Sequence, residues 1–167
     1  INSPFDINRY RMRNPRAVVD EIALLHDTYG VKTFKITDEM FVLNNRHVNA
    51  ICDLLIERDY DLNIWAYARV DTVKPENLDK LKRAGFRWLA LGIESGSAHV
   101  RDGAEKAFSQ DDIIAIVREI QKAGIYVIGN FIFGLPDDTL ETMQQTYDLA
   151  VELNCEFINL YSAMAYP

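Results

Sequence analysis

The stretch QKAGIYVIGNFIFGLPDD, residues 121–138, holds a helix end, a strand, a turn and a helix start in that order. Gly124 stands where a glycine closes a helix in the left-handed conformation. From Tyr126 to Phe133 the residues alternate. Ile128, Asn130, Ile132 and Gly134 share one face, opposite Val127, Phe131 and Phe133. Successive strand side chains point to opposite sides, so one face is bulky and apolar and the other is small or polar. Pro136-Asp137-Asp138-Thr139 is an N-cap signal. Asp137 or Asp138 is the expected cap of a helix carrying Leu140, Met143, Tyr147 and Ala150. The same order occurs in KRAGFRWLALGIE, residues 82–94, where Lys82 to Phe86 echoes Gln121 to Ile125. Here Leu89, Leu91 and Ile93 face one way, and Ala90, Gly92 and Glu94 the other.

The unit repeats on both sides of these two copies. Asn14-Pro15 reads as an N-cap followed by a proline at the first helical position. Val18, Ile22, Leu25 and Tyr29 form its stripe, and Gly30 ends it. A β-branched run from Val31 to Thr37 follows, with Phe34 and Ile36 opposite Lys35 and Thr37. Asn44 or Asn45 opens a helix bearing Val48, Ile51, Leu55 and Ile56. Leu62 to Arg69 reads as a strand with Trp65, Tyr67 and Arg69 on one side. Pro75 starts a short helix with Leu78 and Leu81, ended by Gly85. Ser109 caps a helix with Asp112 at the capping-box position. Phe157 to Ala163 is the last strand.

Five strands, each preceded by a helix, predict parallel strands joined by right-handed crossovers. Open doubly wound sheets have central strands that are apolar on both faces. The alternation here instead suits a barrel wall, with helices outside and a ligand in the lumen. Five strands are too few to close an eight-stranded barrel. The expected fold is therefore α/β, an incomplete or open TIM-like barrel forming one domain over residues 1–167.

Composition narrows the function classes. At 49% hydrophobic and 26% charged residues the chain matches folded proteins, so disorder is not expected. A net charge of −7 argues against unspecific nucleic-acid binding. No apolar run approaches the ~20 residues of a membrane helix. Cys52 and Cys155 are far apart, with no C-x-x-C and no zinc spacing. They are expected to be buried, inert thiols, which suit a reducing cytoplasm. His26, His47 and His99 have no mutual ligand spacing. The arginines at positions 9, 11, 13 and 16 read as a solvated surface, with contact to an anionic substrate as the other reading.

Ligands of parallel α/β folds bind at the carboxyl ends of the strands. Those ends carry Thr37-Asp38-Glu39, Arg69-Val70-Asp71, Gly92-Ile93-Glu94-Ser95-Gly96-Ser97, Phe133 to Thr139, and Asn159, Tyr161 and Ser162. Carboxylates, an arginine, hydroxyls and glycines thus meet on one rim, a set suited to a polar zwitterion or a ribose. Alternation pairs Asp38 with Phe34 and Ile36, which leaves Glu39 as the lumenal acid. Arg69 has as its plain structural role an ion pair with Asp71 or Glu94.

These strand ends resemble the radical S-adenosylmethionine (SAM) family. GIESGS (Gly92 to Ser97), with Lys106 shortly after it, is similar to the family's fourth-strand region. NFIFGLPDDTLE (Asn130 to Glu141) resembles its fifth-strand G-x-I-x-G-x-x-E motif. Ile132 and Gly134 match, while Asn130 replaces the first glycine and Asp137 the final acid. KITDEMF (Lys35 to Phe41) resembles the second-strand segment, with Glu39 for the second Asp. ARVDTV (Ala68 to Val73) resembles the third strand and LYSAMAYP (Leu160 to Pro167) the sixth. YRMRNPRAVVDEI (Tyr10 to Ile22) is similar to the stretch after the cluster loop in cobalamin-binding members. Methylthiotransferases share motifs like GIESGS.

The resemblance implies a partial (β/α)6 barrel without the first strand and without the C-x-x-x-C-x-x-C cluster loop, which is absent from this sequence. It implies SAM as cofactor, and in the intact protein a [4Fe–4S] cluster whose ligands are not in this chain, with cobalamin as a further cofactor. It also implies an electron donor such as flavodoxin or ferredoxin, and no membrane partner. The intact enzyme would cleave SAM reductively and abstract a substrate hydrogen, leading to methyl transfer or cyclisation. SAM-contacting residues by this resemblance are Glu94 and Ser95 near the ribose or amino group, Lys106 at the carboxylate, Asn130 and Ile132 at adenine, and Tyr161 at adenine or sugar. Glu39 and Arg69 complete the rim set. Two other readings stand beside it. One is a degenerate barrel or binding domain without a cluster. The other is an aldolase-like barrel with a Schiff-base lysine, disfavoured because neither Lys35 nor Lys106 lies in an apolar pocket.

Overall fold

The computed structural model describes residues 11–103 and 108–164. Lys106 lies outside them, as do Arg9 and the residues beyond Met164. Helices and strands alternate: α1 (Pro15–Tyr29), β1 (Thr33–Ile36), α2 (Asn45–Arg58), β2 (Asn63–Arg69), α3 (Leu78–Arg83), β3 (Phe86–Glu94), α4 (Ala98–Gly103), α5 (Gln110–Lys122), β4 (Tyr126–Phe133), α6 (Leu140–Leu153) and β5 (Phe157–Ser162). The five strands form one sheet in the order β1-β2-β3-β4-β5, every pair parallel. The result is a curled half-barrel, the partial TIM-like barrel expected from the alternation.

Local chemistry sets most boundaries. The Asn14 side chain accepts from Arg16 N at 2.9 Å, Pro15 follows, and Gly30 closes α1 at φ 67°. Asn44 caps α2 by accepting from His47 N at 3.0 Å. Ser109 and Asp112 form a reciprocal capping box at the start of α5. The α6 start differs from expectation: Thr139, not Asp137 or Asp138, is the cap, in a box with Thr142. Asp138 reaches back instead, accepting from Gly134 N at 2.8 Å and Leu135 N at 3.0 Å. Those turn amides have no strand partner, and a carboxylate satisfies both. Pro75 opens a single 3₁₀ turn, and the α-helix starts only at Leu78. The first strand stops at Ile36, one residue short of Thr37.

The core lies between the helices and the convex side of the sheet. Leu89, Leu91 and Ile93 of β3 and Val127 and Phe131 of β4 are fully buried there, against Ile113, Val117 and Ile120 of α5. The face expected to be bulky and apolar is thus the helix-covered one. The other face lines the concave side.

Candidate functional site

Register turns the concave face into rows. Lys35, Trp65, Trp88 and Tyr126 stand side by side nearest the amino ends. Tyr67, Ala90, Ile128 and Phe157 form the next row, then Arg69, Gly92, Asn130 and Asn159. Ile132 and Tyr161 pair above them. Along β3 the side chains shrink from Trp88 to Ala90 to Gly92, so the face opens toward the carboxyl ends. The sequence placed Asn130, Ile132 and Arg69 on this face, and the structure brings Arg69 and Asn130 to either side of Gly92.

Asn130 Nδ2 donates to Leu91 O at 3.1 Å, and its Oδ1 accepts from Asn159 Nδ2 at 2.9 Å. One side chain therefore ties three strands, with one amide hydrogen left over for a ligand. The Arg69 guanidinium is held by Asp71 through two bonds of 3.0 and 2.9 Å. This bidentate pair fixes the guanidinium at the rim. Asp71, of the two acids named as its structural partner, takes that place. Tyr161 is half exposed opposite Ile132. Glu39 is exposed in the turn after β1, while Asp38 accepts from Met40 N at 2.9 Å.

Glu94 ends β3 at φ 69°, and Ser95 N donates to Ile93 O at 3.0 Å around it. A non-glycine residue at the centre of such a three-residue turn is strained. The ladder to β4 also shifts register between Gly92 and Glu94. A buried polar network holds this geometry. Ser95 Oγ, with no exposure, lies 3.1 Å from Thr146 Oγ1 of α6. Gly96 N donates to the same Thr146 oxygen at 2.9 Å, and Ser97 N to Ser95 Oγ at 3.1 Å. Thr146 Oγ1 donates onward to Thr142 O at 3.0 Å. The protons balance only if the Ser95 hydroxyl donates to Thr146. Buried Arg101 donates to Ser95 O at 2.7 Å. Gly96 is pressed so closely on α6 that a Cβ there would stand 2.7 Å from Thr146 Cα.

The Ser95 side chain therefore faces α6 rather than the concave face. Thr146 and Arg101 were not found from the sequence. Thr146 had one signal: it is the polar residue on the face of α6 that also carries Leu149 and Leu153, all buried.

Burial pushes the Cys52 thiol up to about 12 and the Cys155 thiol up to about 11. Cys52 is fully buried and Cys155 half-buried. Among the described residues no group of three or more His, Cys, Asp or Glu could hold a metal ion. These residues do not fit an iron–sulfur cluster. The small Gly92, the Glu94 carboxylate, the spare Asn130 amide and apolar Ile132 do fit a nucleoside with a zwitterionic tail. No helix is long and apolar enough to cross a membrane among the described residues.

Several known proteins are similar to this chain in sequence or in fold. An uncharacterised methyltransferase of Pyrococcus horikoshii is 28% identical over 95% of this chain and 35% of its own length. The anaerobic magnesium-protoporphyrin IX monomethyl ester cyclase of Rubrivivax gelatinosus is 30% identical over 95% of this chain and 29% of its own. The chain thus spans about a third of the length of these relatives. Among solved structures, the radical SAM methyltransferase TsrM of Kitasatospora setae, with cobalamin and a [4Fe–4S] cluster bound, superposes with a TM-score of 0.85. It is 22% identical, over 95% of this chain and 30% of that one. Coproporphyrinogen III oxidase (HemN) from Escherichia coli gives a TM-score of 0.73 at 19% identity, over 96% of this chain and 40% of that one. The profile of the radical SAM superfamily matches residues 2–150, and the chain belongs to that superfamily.

Proposed function

We propose that this half-barrel is the SAM-binding wall of a cobalamin-linked radical SAM enzyme that methylates or cyclises its substrate in the cytoplasm. The observation that carries this is the carboxyl-end rim: Gly92 between Arg69 and Asn130, crowned by Glu94 in a strained, buttressed turn. Glu94 accepts hydrogen bonds from the ribose hydroxyls or the ammonium of SAM. Ile132 packs on adenine, the spare Asn130 amide hydrogen reads a polar edge, and Tyr161 closes the far side. Lys106 takes the carboxylate. When bound, SAM and a reduced [4Fe–4S] cluster together supply one-electron cleavage of the sulfonium, with flavodoxin or ferredoxin as donor. The described residues position the cofactor and keep water from it. Similarity to methyltransferases and a cyclase supports the reaction class.

Equilibrium dialysis with labelled SAM tests the site. Glu94→Gln is expected to weaken binding about tenfold, equivalent to one lost charge-assisted hydrogen bond of roughly 1.4 kcal/mol. Unchanged affinity removes Glu94 from the site. The alternative is a non-catalytic degenerate barrel or binding domain that has lost the cluster. Anaerobic iron–sulfur reconstitution of the intact protein separates the two, since only the first yields 5′-deoxyadenosine.

A further inference from the structure

The amino-terminal part of the concave face is aromatic. Trp65, Trp88 and Tyr126 occupy neighbouring strands in one row, with Tyr67 one step above Trp65. The Trp65 and Tyr67 rings lie 5.4 Å apart, tilted by 59°, and the Trp88 and Tyr126 rings 4.8 Å apart, tilted by 47°. None of the four belongs to the buried core, which lies on the other side of the sheet. In the same row Lys35 sets its ammonium 4.4 Å from the Trp65 ring centre and 5.3 Å from that of Tyr67. No carboxylate among the described residues is within ion-pair distance of it. A cation over a ring uses no hydrogen-bond acceptor, so the three ammonium donors stay available to an anion. Ala90 and Gly92 then clear the path from Trp88 up to Glu94.

We propose that this row seats the substrate, and that the substrate is a flat, conjugated carboxylic acid. Its ring system lies on Trp65 and Trp88, and its carboxylate meets Lys35 Nζ. Trp88 and Gly92 stand four positions apart on β3, roughly 13 Å of strand. A ligand that rests on the row and reaches the rim is therefore larger than a single ring. This assignment rests on the concave face being the reaction chamber.

Both tryptophans of the chain lie in the row, so their emission reports its occupancy. The probe is 2-naphthoate. The controls are cyclohexanecarboxylate, which is anionic but not flat, and 2-naphthamide, which is flat but neutral. Saturable quenching by 2-naphthoate at least tenfold tighter than either control is expected. Lys35→Met should remove that advantage and leave 2-naphthamide unchanged, while Lys35→Arg retains it, with circular dichroism confirming the fold of each. Equal affinity for the three probes, no saturable quenching, or a Lys35→Met protein that still prefers 2-naphthoate overturns the proposal. SAM binding measured on the same preparation separates the two claims. Retained SAM binding without naphthoate binding sinks the aromatic seat alone. Naphthoate binding without SAM binding leaves the seat standing and sinks the SAM site.

Discussion

Replacing Thr146 by valine removes one oxygen and keeps the shape of the side chain. That oxygen accepts from Gly96 N and from Ser95 Oγ, and donates to Thr142 O. The Ser95 hydroxyl can rotate toward another acceptor, and Thr142 O keeps its helical role. The Gly96 amide cannot move, because Gly96 is wedged against α6. Leaving it buried and unmet costs about 1–3 kcal/mol. The strained turn at Glu94 stores a similar amount, about 1–3 kcal/mol. With the penalty and the strain now on the same side, the turn relaxes and the Glu94 carboxylate leaves its position. Urea unfolding should show a loss of about 2 kcal/mol, and SAM dialysis a roughly tenfold weaker affinity. Thr146→Ser restores the oxygen and should restore both. A Thr146→Val protein that loses stability but binds SAM like the parent would refute the positioning role. The network would then only hold α6 in place.

Glu94→Gly should do the reverse to stability. Glycine tolerates the φ of 69° at no steric cost, so the protein should gain about 1 kcal/mol in urea while SAM affinity falls as in Glu94→Gln. A loss of stability would mean that the turn is not strained. Cys52 should resist a thiol reagent at pH 8 until urea unfolds the chain; rapid native labelling would contradict its burial. Its pKa rises from an ordinary 9.0 to about 12 on folding, so its contribution to stability is complete below pH 9 and is lost as pH rises toward 12. Denaturation midpoints that stay flat from pH 9 to 11 would count against that assignment.

The alternation on β3 and β4 was legible because strand side chains have a fixed period of two, and it placed Asn130 and Ile132 correctly. The caps at Asn14 and Ser109 were legible because the oxygen that caps is adjacent in sequence. At α6 that rule was insufficient. Asp138 and Thr139 both offer oxygens within reach, and the choice falls to the amides of the turn at 134–135, which local sequence does not describe. Ser95 was named from the resemblance; the same alternation sets it with Leu91 and Ile93 on the helix-covered side, where its hydroxyl meets Thr146 of α6. Alternation named Glu39 rather than Asp38 as the lumenal acid, but β1 ends at Ile36, so the period of two does not extend to either residue. Thr146 was hidden by distance, because its partners lie about 50 positions earlier in the chain.

The contact between Gly96 and α6 has a mechanical consequence. Packed protein is nearly incompressible, and here backbone meets backbone with no side chain between to yield. A displacement of α6 is therefore delivered to Glu94 undamped. The opposite flank of α6, where Tyr147 and Val151 stand exposed, has no such backbone contact with the rim among the described residues.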